Sequence, residues 1–403
     1  MRFLFLFTLS FIFFPSCLKN NNKNLDTQIN IEEQIIRIDD DPPDLFFLQA
    51  CEIASSLDDR ILAAQVLICG IDGNGRLPAH MKEILREVPA GAIILFRYNL
   101  DSGNDEIRVL IAETASHIQQ EAEIAPFISV DHEGGTVNRF RQGVARLPAA
   151  SYYSEYAKSN GTKSALEKAE DDSFNAGKEL YNLGINMNFA PVAEYLNTHN
   201  GDFLKSRSYG PDPEFTAEAA RAFVRGMERA GVLCASKHFP GSAGEDPHLY
   251  PAVLTGDRAG LNTLVSPFAS LIAGGARAIM ISHCAVPSMD SEISSLSSVI
   301  MRDWLRNALG FQGIIICDDF SMEAARKSPG NINEKSKILS TEEAIIRSLA
   351  AGTDMVLVWQ PDIRRTHRAI LAAITDGRLS RDRLQEAARR IIYEKLKTGI
   401  YIK

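Results

Sequence analysis

The chain has 403 residues, 45% apolar and 23% charged, with 43 basic against 51 acidic side chains for a net charge of −8. That length can bury one large core or two ordinary ones, and the composition is that of a globular enzyme. The acidic balance, with both signs interspersed, argues against nucleic acid or an anionic membrane surface as the main partner.

Met1-Arg2 precedes an apolar run over 3–14 broken only by Thr8 and Ser10. The run is too short for a spanning helix and fits the apolar core of a secretory signal. It ends in Phe14-Pro15-Ser16-Cys17, which resembles the end of a bacterial lipoprotein signal. Cleavage there makes Cys17 the lipidated first residue; an ordinary secretory peptide or an uncleaved anchor is the alternative. Residues 18–50 read as a polar tether and lead-in: Leu18-Lys-Asn-Asn-Asn-Lys-Asn24 cannot pack, Asp39-Asp-Asp-Pro-Pro-Asp44 marks the end of the linker, and from Leu45 onward the chain becomes periodic. The expected location is exported and membrane-anchored, periplasmic or cell-surface, with membrane contact only through the lipid.

From residue 51 to 403 the chain repeats one theme as a single domain: a short β-rich run, a polar or glycine loop, then a helical stretch. The apolar runs are 64–71, 92–96, 127–130, 185–190, 232–235, 278–282, 314–317 and 355–359. Helical periodicity falls between them, at 104–123, 163–183, 213–230, 298–309 and 342–351. Near-continuous apolar strands imply burial on both faces. Eight such units predict an α/β fold, a closed (β/α)8 TIM-type barrel, with a doubly wound open sheet as the alternative. A polar insertion over 326–339 follows the seventh run.

In such a barrel, chemistry sits at the C-terminal ends of the strands. The third run ends in Asp131-His132-Glu133-Gly134-Gly135 and the fifth in Lys237-His238, just before the chain-breaking Pro240-Gly241. The sixth ends in His283, the seventh in Asp318-Asp319, the eighth in Trp359-Gln360. Beyond Gly241 a loop carries Glu245, Asp246 and His248. Titratable groups thus gather at one end of the strands. The remaining cysteines, Cys51, Cys69, Cys234, Cys284 and Cys317, form no C-x-x-C pair, so neither a disulfide framework nor a metal site is expected. No phosphate loop, dinucleotide fingerprint or G-x-S-x-G elbow is present, and no cofactor is expected. What remains is a carboxylate set: Asp131, Glu133, Asp246, Asp318 and Asp319. Carboxylates beside Arg, Lys and an aromatic suit a polyhydroxylated substrate. Glycoside hydrolysis needs one carboxylate and a second group able to donate a proton, a task open to histidine.

Five motifs occur in order: Asp131-His-Glu-Gly-Gly-Thr-Val-Asn-Arg139-Phe140, Arg207-Ser-Tyr-Gly-Pro-Asp-Pro213, Lys237-His-Phe-Pro-Gly241, Ser282-His283, and Gly310-Phe-Gln-Gly-Ile-Ile-Ile-Cys-Asp-Asp-Phe-Ser-Met322. Together they resemble glycoside hydrolase family 3, in its β-N-acetylglucosaminidase branch acting on peptidoglycan fragments, over about residues 60 to 400. The resemblance implies that Asp318 is the nucleophile of a retaining mechanism, with the adjacent Asp319 as its rival or else a structural carboxylate. It implies that His248, held by Asp246, is the general acid/base. It implies that Asp131, Arg139, Arg207, Lys237 and His238 bind the hydroxyls of the terminal sugar.

This chain also departs from the family pattern. Ser242-Ala243 stands where His-Gly is usual, the loop to the Asp-x-His pair is about two residues shorter, and Pro247 replaces a common Ser. His132 stands where Gln is common, and Glu194, after Asn188-Phe-Ala-Pro191, where Asp is common. The main expectation is a retaining exo-β-N-acetylglucosaminidase acting on terminal N-acetylglucosamine of peptidoglycan fragments or chitooligosaccharides. A family 3 β-glycoside phosphorylase or β-glucosidase, and a catalytically impaired sugar-binding surface lipoprotein, are the alternatives.

Overall fold

The computed structural model describes residues 44–400 apart from Arg141, 245–251 and 327–337. Cys17, the tract up to residue 43, Asp246, His248 and most of the polar insertion therefore lie outside the described residues.

All eight apolar runs become strands of one closed parallel barrel. In chain order they are β1 (Leu67–Gly70), β2 (Ala92–Leu95), β3 (Phe127–Val130), β6 (Met187–Asn188), β7 (Leu233–Phe239), β8 (Ala278–Ile281), β9 (Ile314–Cys317) and β10 (Met355–Val358). A small antiparallel hairpin, β4 (His132–Gly134) with β5 (Val137–Asn138), caps the end of β3. The ring closes where β1 pairs with both β2 and β10. Nearly every barrel-strand residue is buried, which is why these segments read as unbroken apolar runs rather than alternating ones.

Helices cover the outside, and local sequence sets their ends. Asp58 caps Asp59–Gln65 by accepting from the Ile61 amide. Pro213 opens Pro213–Arg229 behind the Asp212 cap. Gly184, at φ 95°, ends Thr162–Leu183 in the left-handed conformation. The stretch expected over 298–309 is a π-helix, Val299–Ala308, rather than an α-helix.

The first and fifth runs also differ from expectation. The first run begins too early, because Ala64 and Gln65 complete the helix Asp59–Gln65 before β1 starts. The fifth strand is longer than its apolar run, so Lys237 and His238 lie within β7 rather than beyond it. The Lys237 amide donates to the Pro191 carbonyl at 2.9 Å, and its carbonyl accepts from Ala193 at 2.7 Å. Charged side chains can occupy a buried strand here because carboxylates inside the barrel pair them.

The lead-in turns helical at Leu45, where the periodicity begins. Leu45–Ser56 lies against the last helix, Arg381–Lys397, and buries Ala50 and Ala54. Tyr393 donates to Asp44 at 2.6 Å, and Arg381 binds Asp59 at 2.8 Å and the Leu57 carbonyl at 2.6 Å. The last helix is also tied to β10. Asp354, at the start of that strand and fully buried, accepts from Arg383 at 2.7 Å, Arg390 at 3.3 Å, the Ile315 amide at 2.9 Å, and Arg306.

Candidate active site

The C-terminal ends of the strands surround a cavity of about 300 Å3. That volume is at the small end for ligand sites. Asp131, Arg139, Arg207, Lys237, His238 and Asp318 all line it. Phe96, Phe203, Met322 and Trp359 supply apolar wall.

One wall is a string of alternating charges. Asp131 leaves the end of β3, and the hairpin then carries Glu133 on one arm and Arg139 just past the other. The turn needs its glycines: Gly134 has φ 98° and Gly135 φ 56°, and a Cβ on Gly134 would lie 2.2 Å from the Pro148 carbonyl oxygen. Asn188 of β6 secures the hairpin, accepting from the His132 amide at 2.9 Å and donating to the His132 carbonyl at 3.0 Å. Lys237 donates to Asp131 at 2.8 Å and pairs with Glu133 at 2.7 Å. Arg139 holds the other oxygen of Asp131 at 3.1 Å. Arg207 binds Glu133 through two parallel hydrogen bonds of 2.8 and 2.9 Å.

Burial alone would raise both carboxylates, but neighbouring cations outweigh it. Lys237, then Arg139, hold Asp131 down at about 2. Lys237, then Arg207, do the same for Glu133, also to about 2. Burial would likewise lower Lys237, yet Asp131 and Glu133 raise it above the ordinary lysine value. The wall is therefore fully ionised at neutral pH, with three cations to two anions. Its donors and acceptors are already oriented, as recognition of vicinal hydroxyls requires.

His238 is held from behind. Its Nδ1 lies 2.8 Å from Glu194 Oε1, which also accepts from the His238 amide at 3.1 Å and from Ser242 Oγ at 3.0 Å. A carboxylate at Nδ1 fixes the proton there and leaves Nε2, on the opposite side of the ring, for the cavity that the residue lines. His283, the other histidine of the cavity, is engaged at both nitrogens: Nε2 donates to the Asp319 carbonyl at 3.1 Å and Nδ1 accepts from Ser295 Oγ at 2.8 Å. Burial holds its pKa below the usual imidazole value, so it is a neutral support.

At the end of β9 the two adjacent aspartates differ. Asp319 is buried, and both of its oxygens are occupied. Oδ1 accepts from the Ser321 amide at 2.7 Å; Oδ2 accepts from Ser321 Oγ at 2.6 Å and from the Trp359 indole at 2.5 Å. Asp318 is partly exposed to the cavity. Its Oδ1 accepts from the Asp319 amide at 2.8 Å, and its Oδ2 has no hydrogen-bond partner among the described residues. Among the described residues, Asp318 is the one of the two with an oxygen left without a partner and so available for attack.

The structure thus brings together six of the residues named from sequence. Asp246 and His248 fall in 245–251, outside the described residues, just after Ser242-Ala243 on the cavity wall. Three features were not read from sequence: Glu133 as the bridge between Lys237 and Arg207, Glu194 as the support of His238, and Trp359 as the donor to Asp319. Glu133 and Trp359 stood at strand ends as visible signals. The pairing of Glu194 with His238 spans 44 residues and had no local signal beyond the unusual Glu.

A sequence model of the glycosyl hydrolase family 3 N terminal domain matches residues 57–393. A beta-hexosaminidase of Neisseria gonorrhoeae is 34% identical over 295 residues, covering 72% of this chain and 76% of that protein. Among solved structures, a family 3 beta-N-acetylglucosaminidase from Paenibacillus sp. superimposes with a TM-score of 0.76 at 30% identity. The match covers 85% of this chain, which spans 63% of the Paenibacillus one. NagZ from Neisseria gonorrhoeae, solved in complex with N-trifluoroacetyl-D-glucosamine, superimposes with a TM-score of 0.67 at 29% identity, covering 81% of this chain and 89% of that one.

Proposed function

We propose that this chain, which belongs to glycoside hydrolase family 3, is a retaining exo-β-N-acetylglucosaminidase that releases terminal N-acetylglucosamine from peptidoglycan fragments or chitooligosaccharides. The observation that carries the reading is Asp318, a carboxylate with one unengaged oxygen among the described residues, in a cavity walled by ionised polar groups suited to hydroxyls. The relatives named beta-hexosaminidase and beta-N-acetylglucosaminidase support the N-acetylated sugar as substrate.

The wall of Asp131, Lys237, Arg139, Arg207 and His238 holds the ring hydroxyls and sets the anomeric carbon against Asp318. Oδ2 of Asp318 attacks that carbon as the bond to the leaving oxygen breaks. The departing oxygen takes a proton from His248, whose tautomer Asp246 sets. This gives a glycosyl ester on Asp318. Water then attacks the same carbon, His248 removes its proton, and the ester bond breaks to restore the carboxylate. The roles of His248 and Asp246 rest on their Asp-x-His spacing and the family resemblance.

A soluble form starting near Asp26 tests the reading, with aryl β-N-acetylglucosaminide compared against aryl β-glucoside. Faster hydrolysis of the glucoside would overturn the assigned sugar. Sugar 1-phosphate formed on adding inorganic phosphate would replace hydrolysis by phosphorolysis. The apolar run ending in Ser16-Cys17 supports export and lipid anchoring. Cys17→Ala should then release the protein from the membrane, and an unchanged membrane fraction without lipid mass on Cys17 would remove the anchor.

A further inference from the structure

We infer that Trp359 and Ser321 are positioning residues for the nucleophile, acting through Asp319; this rests on Asp318 being the attacking group. A tryptophan in a sugar-binding cavity suggests first a stacking surface for the substrate. Here the indole also has a second contact. Its N–H donates to Asp319 Oδ2 at 2.5 Å and approaches Ser321 Oγ at 3.1 Å, while Ser321 Oγ itself donates to the same Oδ2 at 2.6 Å. With the Ser321 amide on Oδ1 and His283 Nε2 on the backbone carbonyl, Asp319 is held at its carboxylate and at its main chain. The next bond in the series is the one that matters for chemistry: the Asp319 amide donates to Asp318 Oδ1 at 2.8 Å.

That amide fixes one oxygen of Asp318 and leaves the other to form the glycosyl bond. A carboxylate free to rotate would present either oxygen over a wide arc, and small errors in attack geometry are costly. The indole is itself kept in place. It stacks on Phe96 with ring centroids 4.8 Å apart and planes 13° from parallel, and Phe96 stacks in turn on Tyr98 at 5.9 Å and 18°. Gly70, at the end of β1, makes room for the pair: a Cβ there would lie 3.2 Å from the Phe96 ring. Three strand ends, β1, β2 and β10, thereby orient a group on a fourth, β9.

Trp359→Phe keeps an aromatic ring against Phe96 but removes the indole N–H together with its five-membered ring; Ser321→Ala removes the hydroxyl and keeps the backbone amide. Both are to be assayed with a dinitrophenyl glycoside and by the rate at which an activated fluoro-sugar traps the covalent adduct. The expected result for each is a fall of about tenfold in kcat and in trapping rate, with KM nearly unchanged. Their combined loss should be smaller than the product of the two, since both act on one oxygen. An unchanged trapping rate in either variant, or a raised KM with kcat intact in Trp359→Phe, would overturn the inference and leave Trp359 a binding surface. Peptide mapping of the wild-type adduct separates this from the reading beneath it. A label on Asp318 upholds the nucleophile whatever the variants do. A label on Asp319 would remove both.

Discussion

Asp318 and Asp319 share a strand end and a chemical type, and hydrogen bonding alone separates their tasks. Three donors engage both oxygens of Asp319, whereas among the described residues Asp318 accepts one hydrogen bond, on Oδ1, and lines the cavity. Asp318→Ala should lower turnover on the order of 10³-fold or more, equivalent to roughly 4 kcal/mol of barrier. Steady-state rates on an aryl glycoside check this, and substantial residual turnover would move the nucleophile elsewhere. Glu194 offers a second test. Its Oε1 receives two N–H groups and a hydroxyl while its Oε2 has no partner among the described residues. Glu194→Gln keeps the shape but halves the acceptors, and it no longer favours the Nδ1 proton of His238. Turnover should fall about tenfold, with Glu194→Asp retaining more activity than Gln, as the charge is kept. A larger loss in Glu194→Asp than in Glu194→Gln would show that length, not charge, matters.

At the scale of elements, much of the site was legible because barrel strands announce their ends. Asp131, Lys237-His238, His283, Asp318 and Trp359 each follow or finish an apolar run, and the fold collects all of them at one mouth. What an apolar run could not reveal was the true end of β7. The strand continues through Lys237 and His238 because their partners come from β3, the hairpin and the segment after β6, distant in sequence. The charged wall makes a prediction for this layer. Asp131 and Glu133 are both held at about 2, below their unfolded values near 4. Their ionised forms therefore contribute stability in full above those unfolded values, and that contribution is lost as pH falls from about 5 to 2. Asp131→Asn removes one such group. Its stability difference from wild type in urea unfolding should change by on the order of 2 kcal/mol over that interval and stay flat from pH 6 to 8. A pH-independent difference would mean that Asp131 is not held ionised.

At the scale of the whole molecule, a buried amine sits at the opposite end of the barrel. Lys395 of the last helix is fully buried, donates to Gln65 Oε1 at 2.9 Å, and sits 5.5 Å from the Phe127 ring centroid. Burial pushes its pKa down to about 7. Between that value and the unfolded one near 10.4, the unfolded chain binds the extra proton. Stability should therefore rise with pH across that window, by up to about 1.4 kcal/mol per unit. Lys395→Met should flatten the rise and be the more stable protein at pH 7. Urea midpoints from pH 7 to 10 decide it, and parallel curves for the two proteins would place the charge elsewhere. Nothing in the local sequence marked Lys395, which reads as one more basic residue of an amphipathic helix. Only closure of the ring puts it beneath the strands.

The same closure makes the polypeptide nearly endless in space. Asp44 meets Tyr393, and Asp59 meets Arg381, so the first and last helices of the barrel lie side by side. The order in which the units are threaded is then a property of the covalent chain and not of the packed ring. Residues 400 and 44 can be joined by a short Gly/Ser linker and the chain reopened at Gly161, an exposed position where an added Cβ would touch nothing within 4 Å. Such a circular permutant should unfold in one cooperative step and keep its glycosidase activity. A permutant that is soluble but without a thermal transition would show that assembly of the ring depends on which unit is made first.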